Sequence, residues 1–149
     1  MIIKSPNNIN KRDFNKPSIF LAGSIEMGNA ENWQEELTKY FERDFNIFNP
    51  RRDNWDNSLE QSINNPQFYE QVTWELNALD KSDLIIMYFD PNTKSPISLL
   101  ELGLYATSKK LHVICPEGFW RKGNVDIICK KYDIPLYETI NEFINKFFE

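Results

Sequence analysis

Five short apolar runs punctuate an otherwise polar chain: SIFLAG (18–23), FNIFNP (45–50), DLIIMYF (83–89), LHVICP (111–116) and, more weakly, IPLY (134–137). Each has the length of a strand. Between them apolar residues recur at helical spacing. Trp33, Leu37 and Phe41 return every fourth position behind Asn29, a residue type that caps helices. Asn65-Pro66 reads as an N-cap followed by proline at the first helical position, with Phe68, Val72, Leu76 and Leu79 marking one face. Ser95-Pro96 opens a third helix in the same way and sets Ile97, Leu100, Leu104 and Tyr105 on its inner face. A fourth helix is expected over 124–132. A terminal one over 139–148 carries Ile140, Phe143, Ile144 and Phe147. Residues 1–16 are polar, rich in Asn and Lys, and read as a loose lead-in to a single domain over 17–149.

Strands that alternate with helices build βαβ units with right-handed crossovers and a parallel sheet. The expected fold is α/β: a doubly wound, flavodoxin-like sheet of five strands in the order 2-1-3-4-5, with helices on both faces. Ligands of such sheets bind at the carboxyl ends of the strands, near the topological switch point. That rule selects four loops. The first, AGSIEMGN, puts Gly23, Ser24 and Ile25 where a ligand approaches the backbone. The second, NPRRDNWD, brings Arg51, Arg52, Asp53 and Trp55. The third, DPNTKSP, leads through Ser95 into the helix that carries Glu101, and the fourth, CPEGFWRKGN, ends on Asn124. Aromatics, arginines, carboxylates and amides on one edge suit a planar heterocycle attached to a polar sugar. Neither GxGxxG nor GxxxxGK[ST] occurs, which excludes the NAD and ATP readings, and no cofactor is expected.

Composition narrows this further. With 149 residues the prior is one domain, and 41% hydrophobic and 26% charged residues are ordinary globular values. A net charge of −5 without a basic run argues against a nucleic-acid partner but leaves a nucleoside open. Cys115 and Cys129 form no CxxC pair, and His112 is the single histidine, so no zinc site is expected and reduced thiols are the simpler reading. His112 inside an apolar strand reads as structural. The absence of a signal-peptide run or a membrane-length apolar stretch gives the expectation of a soluble, cytoplasmic protein without a membrane partner.

Two carboxylates fall on apolar faces. Glu101 lies four residues after Ile97 and three before Leu104; Glu75 lies three after Val72 and four before Leu79. Burying a carboxylate is costly unless it is paired or hydrogen-bonded. Partial exposure or an arginine partner accounts for either one alone. Two on helices that flank the same strand (83–89) also fit a nucleophile and a proton donor or acceptor tuned apart by their surroundings. A carboxylate nucleophile suits an oxocarbenium-like transition state, as at a glycosidic bond.

The succession FLAGSI, WELNALDKSDLII and SPISLLELGLYA, spanning about residues 18–130, resembles the nucleoside 2-deoxyribosyltransferase family and the related deoxynucleoside-monophosphate N-glycosidases. The resemblance implies that Glu101, in the ELG motif, attacks the anomeric carbon of the 2′-deoxyribose. The base leaves, and a second base, or water in the hydrolases, releases the sugar. It assigns proton exchange with the base to Glu75, where members often carry Asp. It also implies a substrate surface of Phe20 (often Tyr in the family), Gly23, Ser24, Ile25, Arg51, Asp53, Trp55, Ser95 and Asn124. A serine at the place of Ser95 helps hold phosphate in the monophosphate glycosidases. Glu26, where those enzymes carry arginine, would instead repel a 5′-phosphate, leaving Arg51, Arg52, Arg121 and Lys122 as substitutes. Asn124 serves equally as the N-cap of the 124–132 helix. Trp55, Phe119 and Trp120 either stack on a base or pack, and Arg52 with Asp53 either meets the substrate or makes an ion pair that orders its loop.

The leading expectation is transfer of 2-deoxyribose between nucleobases, in nucleotide salvage. The alternatives are a nucleoside or nucleoside-monophosphate N-glycosidase and a non-catalytic nucleotide-binding module. The partners are nucleosides and nucleobases, and a homo-oligomer is implied, since neighbouring chains in the family complete one another's sites.

Overall fold

The computed structural model describes residues 1–25, 30–52 and 55–149. Among the described residues, six strands and five α-helices follow in the order β1 (Ile2–Lys4), β2 (Ser18–Gly23), α1 (Trp33–Phe41), β3 (Asn46–Asn49), α2 (Pro66–Lys81), β4 (Leu84–Tyr88), α3 (Pro96–Tyr105), β5 (Leu111–Ile114), α4 (Lys122–Lys131), β6 (Leu136–Tyr137) and α5 (Ile140–Phe147), with one 3-10 turn at Ile9–Lys11. The strands lie in the order β1-β3-β2-β4-β5-β6, parallel in every pairing described. Without β1 this is the expected 2-1-3-4-5 order, so the flavodoxin-like α/β class holds with six strands in place of five. The added strand comes from the polar lead-in. Ile2, Ile3 and Lys4 pair with Ile47, Phe48 and Asn49, and Ile3 is buried. Three residues are too few for a period-two pattern to show.

The chain divides into two compact units, residues 1–21 with 32–83 and residues 22–31 with 84–149. In the first unit, α1 starts behind Asn32, whose side chain accepts from the Glu35 amide. Asn29, the expected cap, lies outside the described residues. Trp33, Leu37 and Phe41 are buried as their spacing predicts. Asn65 caps α2 by accepting from the Phe68 amide at 3.0 Å, with Pro66 in the first turn.

The expected α2 stripe is corrected in part. Leu79 is buried, but Leu76 is 39% exposed, and Gln71, Trp74 and Ala78 face inward. Trp74 is what turns the helix. Its ring lies 6.3 Å from that of Phe20 and its indole N–H donates to the Asn7 carbonyl at 2.7 Å, tying residues 1–16 to the sheet.

The second unit has a nearly fully apolar centre: Ile85, Ile86, Met87, Phe89, Val113 and Ile114 are inaccessible to solvent. Such continuous apolar strands are typical of parallel sheets covered on both faces. His112 is structural: Nδ1 lies 3.1 Å from the Tyr137 hydroxyl, and burial holds its pKa below the usual histidine value. The Lys122 ammonium fixes the start of α4 by donating to the Cys115 carbonyl (3.0 Å), Asp126 (3.1 Å) and Glu138 (2.9 Å). Because α4 begins at Lys122, Asn124 sits within its first turn and is not its N-cap.

Candidate active site

Helix α3 carries the first candidate, and its orientation reverses the sequence expectation. Ile97, Leu100 and Leu104 are 58%, 61% and 58% exposed, whereas Ser98, Glu101 and Leu102 are buried. Tyr105 is half-buried. Glu101 therefore faces inward, as expected, but with Ser98 and Leu102 for company rather than the apolar stripe. At 7% exposure the residue is largely withdrawn from solvent.

The turn into α3 is also corrected. Ser95 does not cap the helix with its side chain; it adopts a left-handed backbone, φ 46°, ψ 54°. That conformation is uncommon for a residue with a Cβ and persists only where the surroundings enforce it. Here the enforcing contacts are hydroxyls. Ser95 Oγ lies 2.5 Å from Ser24 Oγ and 2.8 Å from Thr93 Oγ1. Thr93 Oγ1 is in turn 3.0 Å from Ser24 Oγ and 2.9 Å from the Asp90 carbonyl, and the Asp90 amide donates to Ser24 Oγ at 2.8 Å. All three hydroxyl residues are buried. The loops after β2 and β4 thus meet at a knot of serine and threonine that sequence reasoning saw only as separate serines. Thr93 is the member it missed.

Gly23 makes this meeting possible. Its φ is +123°, and a Cβ placed on it would fall 2.6 Å from the Tyr88 nitrogen and closer still to the Tyr88 carbonyl oxygen. The following residue, Ser24, donates its amide to that same carbonyl at 2.9 Å. Only glycine satisfies both the backbone angle and the approach. Ile25, next in the loop, is half-buried.

The first unit holds the second candidate. Burial pushes the Glu75 carboxyl up to about 7, against the smaller opposing effects of a hydrogen bond from Gln71 and the Arg52 charge. Gln71 Nε2 donates to Glu75 Oε1 and to the Pro50 carbonyl, both at 2.9 Å. Gln71 Oε1 accepts from Ser5 Oγ at 2.6 Å and from Arg52 Nε. Arg52 makes an ion pair with Glu70 at 2.9 Å, and the pair expected of it with Asp53 falls on a residue that is not described. Asp53, like Glu26, lies outside the described residues.

The remaining candidates separate. Arg51, half-buried, lines a polar cleft of about 330 Å³ with Lys4, Asn32, Glu35, Thr38 and Asn49, and its guanidinium donates to Gln34 Oε1 at 3.4 Å. Trp55 lies under the Arg52 guanidinium, 5.4 Å from ring centroid to Cζ. Phe20 is buried in the core against Trp74. Phe119 is buried on Phe89, with ring centroids 4.8 Å apart, which favours its packing reading. Trp120 stays 47% exposed beneath Lys94 and Arg121. Asn124 is exposed at the rim of a hollow of about 190 Å³ whose walls are Leu99 and Leu102 of α3 and Val125 and Ile128 of α4. Among the described residues no group of three or more His, Cys, Asp or Glu is placed to hold a metal, and no helix is long and apolar enough to cross a membrane.

No curated protein matches the chain. The family model described as nucleoside 2-deoxyribosyltransferase like matches residues 16–119, a stretch that takes in Gly23, Ser24, Glu75, Ser95 and Glu101. The chain belongs to the nucleoside 2-deoxyribosyltransferase-like family.

Proposed function

We propose that the protein cleaves the N-glycosidic bond of a 2′-deoxynucleoside and transfers the sugar to a second nucleobase, with Glu101 as nucleophile. The observation that carries this reading is the inward, solvent-poor carboxylate of Glu101 on a helix whose apolar residues are left outside. Its carboxylate oxygen attacks C1′. The bond from C1′ to the base nitrogen breaks, and its electron pair departs with the base. The resulting glycosyl ester is then opened by the incoming base nitrogen, which regenerates the carboxylate. Glu75 serves as the proton-exchanging group, since a carboxyl titrating near neutrality is present in both forms at pH 7.

Water as acceptor gives the second reading, an N-glycosidase, and the buried Ser24–Ser95 hydroxyl pair supports it, because the resemblance implies a phosphate-holding serine at Ser95. The exposed apolar face of α3, Ile97, Leu100 and Leu104, supports assembly into a homo-oligomer. Incubation of the protein with a deoxynucleoside, with and without a second free base, separates the two chemistries. A new deoxynucleoside is expected only when the second base is present. A 2-fluoro-2-deoxyribosyl analogue should leave its sugar on Glu101. Equal turnover by Glu101→Ala and the wild type, or an adduct on another residue, would overturn the assignment.

A further inference from the structure

We propose that Gln71 is a positioning residue whose side-chain amide couples Ser5, Pro50 and Arg52 to the Glu75 carboxyl, fixing which carboxyl oxygen is held and which is left to exchange a proton. This rests on the proposed role of Glu75 and adds a residue to which neither the motif nor the family match gives a function.

The geometry allows one orientation of the amide. Nε2 has two hydrogens and both are used, on the Pro50 carbonyl and on Glu75 Oε1 at 2.9 Å each. Oε1 has two lone pairs and both are used, by Ser5 Oγ and Arg52 Nε. A flipped amide would set an oxygen against the Pro50 and Glu75 oxygens and an NH2 against the Arg52 N–H, losing the set at once. Gln71 is buried, so such a loss would not be made good by water.

The coupling joins three parts of the first unit. Ser5 directly follows β1, and its amide is itself held by the Asn49 carbonyl at 3.0 Å. Pro50 and Arg52 belong to the loop after β3. Gln71 stands one helical turn before Glu75 on α2, the spacing at which side chains of one face meet. Glu75 Oε1 is thereby occupied, while Oε2 makes no hydrogen bond among the described residues. Arg52 is the cation that acts on Glu75, and Glu70 shares it from the outside at 2.9 Å. The lead-in therefore has a use beyond adding a strand: its first turn braces the amide that sets the carboxyl.

The test is the titration of Glu75 itself, read by NMR of side-chain carboxyl carbons in protein labelled at glutamate and assigned by the signal missing from Glu75→Gln. Removing the amide donor in Gln71→Met should raise the Glu75 midpoint by about one pH unit, a roughly tenfold tighter hold on its proton. Gln71→Glu, equal in size and able to keep the Arg52 contact, should raise it as well, and it serves if the methionine variant does not fold. In turnover of a deoxynucleoside, the Glu75-dependent limb of the kcat/KM profile should move with the NMR midpoint. A midpoint within about 0.3 pH units of wild type in a folded variant overturns the proposal. If the midpoint moves but wild type turns over no deoxynucleoside, the positioning role stands and the proposed reaction falls. If turnover is seen and the midpoint is unmoved, the reverse holds.

Discussion

Replacing Glu75 by Gln should make the protein's stability depend less on pH, by an amount the structure sets. The folded protein pushes the Glu75 carboxyl up to about 7 from an ordinary 4.5, chiefly through burial. A carboxyl raised in this way binds its proton more tightly folded than unfolded. The stabilisation from that proton is complete below about pH 4.5 and is lost as pH rises through about 7. The full difference is worth about 3 kcal/mol at 1.36 kcal/mol per pH unit, and most of it is lost between pH 5 and 8. The neutral amide introduced by Glu75→Gln keeps a similar volume and does not titrate. Urea denaturation of both proteins across pH 5 to 8 therefore isolates the one group. Relative to Glu75→Gln, the wild type should lose about 2 to 3 kcal/mol over that range, read as a falling midpoint at constant slope. A difference flat to within about 0.5 kcal/mol would mean that the carboxyl is not dehydrated in the folded state, and would remove the argument for Glu75 as a group poised near neutrality.

Three further outcomes follow from particular contacts. Gly23→Ala combines a backbone angle closed to other residues with a Cβ driven into Tyr88, together about 3 kcal/mol or more; thermal unfolding should fall by about 6–12 °C, and a drop under about 3 °C would refute the close approach. Cys115 and Cys129 are both buried, with thiols pushed up to about 12 by burial, so a disulfide-exchange reagent should label neither in the native protein at pH 8 and both in denaturant; rapid native labelling would contradict their packing. The wild type should sediment as a dimer or larger species and Leu100→Lys should shift it toward monomer, whereas a wild type that is monomeric at micromolar concentration would remove the oligomer reading.

How much of this was legible depends on the range of the signal. SIFLAG became β2 residue for residue, and Asn65-Pro66 marked the start of α2, because an apolar strand and a proline-led cap are local properties. The strand order followed from alternation of elements and a fixed crossover hand, which need no side-chain detail. β1 escaped because a three-residue strand carries no period. Its evidence is the pairing of Ile2 and Ile3 with residues more than forty positions away. Gln71 escaped for a related reason. A glutamine one turn before Glu75 carries no signal until the partners of both its ends are known, and those lie in other parts of the chain. Ser95 was legible as a candidate but its link to Thr93 was not, since the contact that matters is with Ser24, on the loop after another strand.

Helix α3 shows a different kind of failure, and a more useful one. The amphipathic rule assumes that a helix turns its apolar side to the core. PISLLELGLY has apolar residues on nearly every side, so the rule had little to decide with, and it chose the side bearing Ile97, Leu100 and Leu104. The fold chose the side bearing Ser98, Glu101 and Leu102. Two costs then fall on one helix. A carboxylate is held away from water, and three large aliphatic side chains stay more than half in it, each forgoing part of the roughly 1.5–3 kcal/mol that full burial brings. A polar residue with a task inside and a surface that covers the leucines outside would each account for one of the two costs. The orientation of α3 adds to its place in the ELG tripeptide as an argument for Glu101, and it ties the proposed chemistry to the proposed assembly through a single helix.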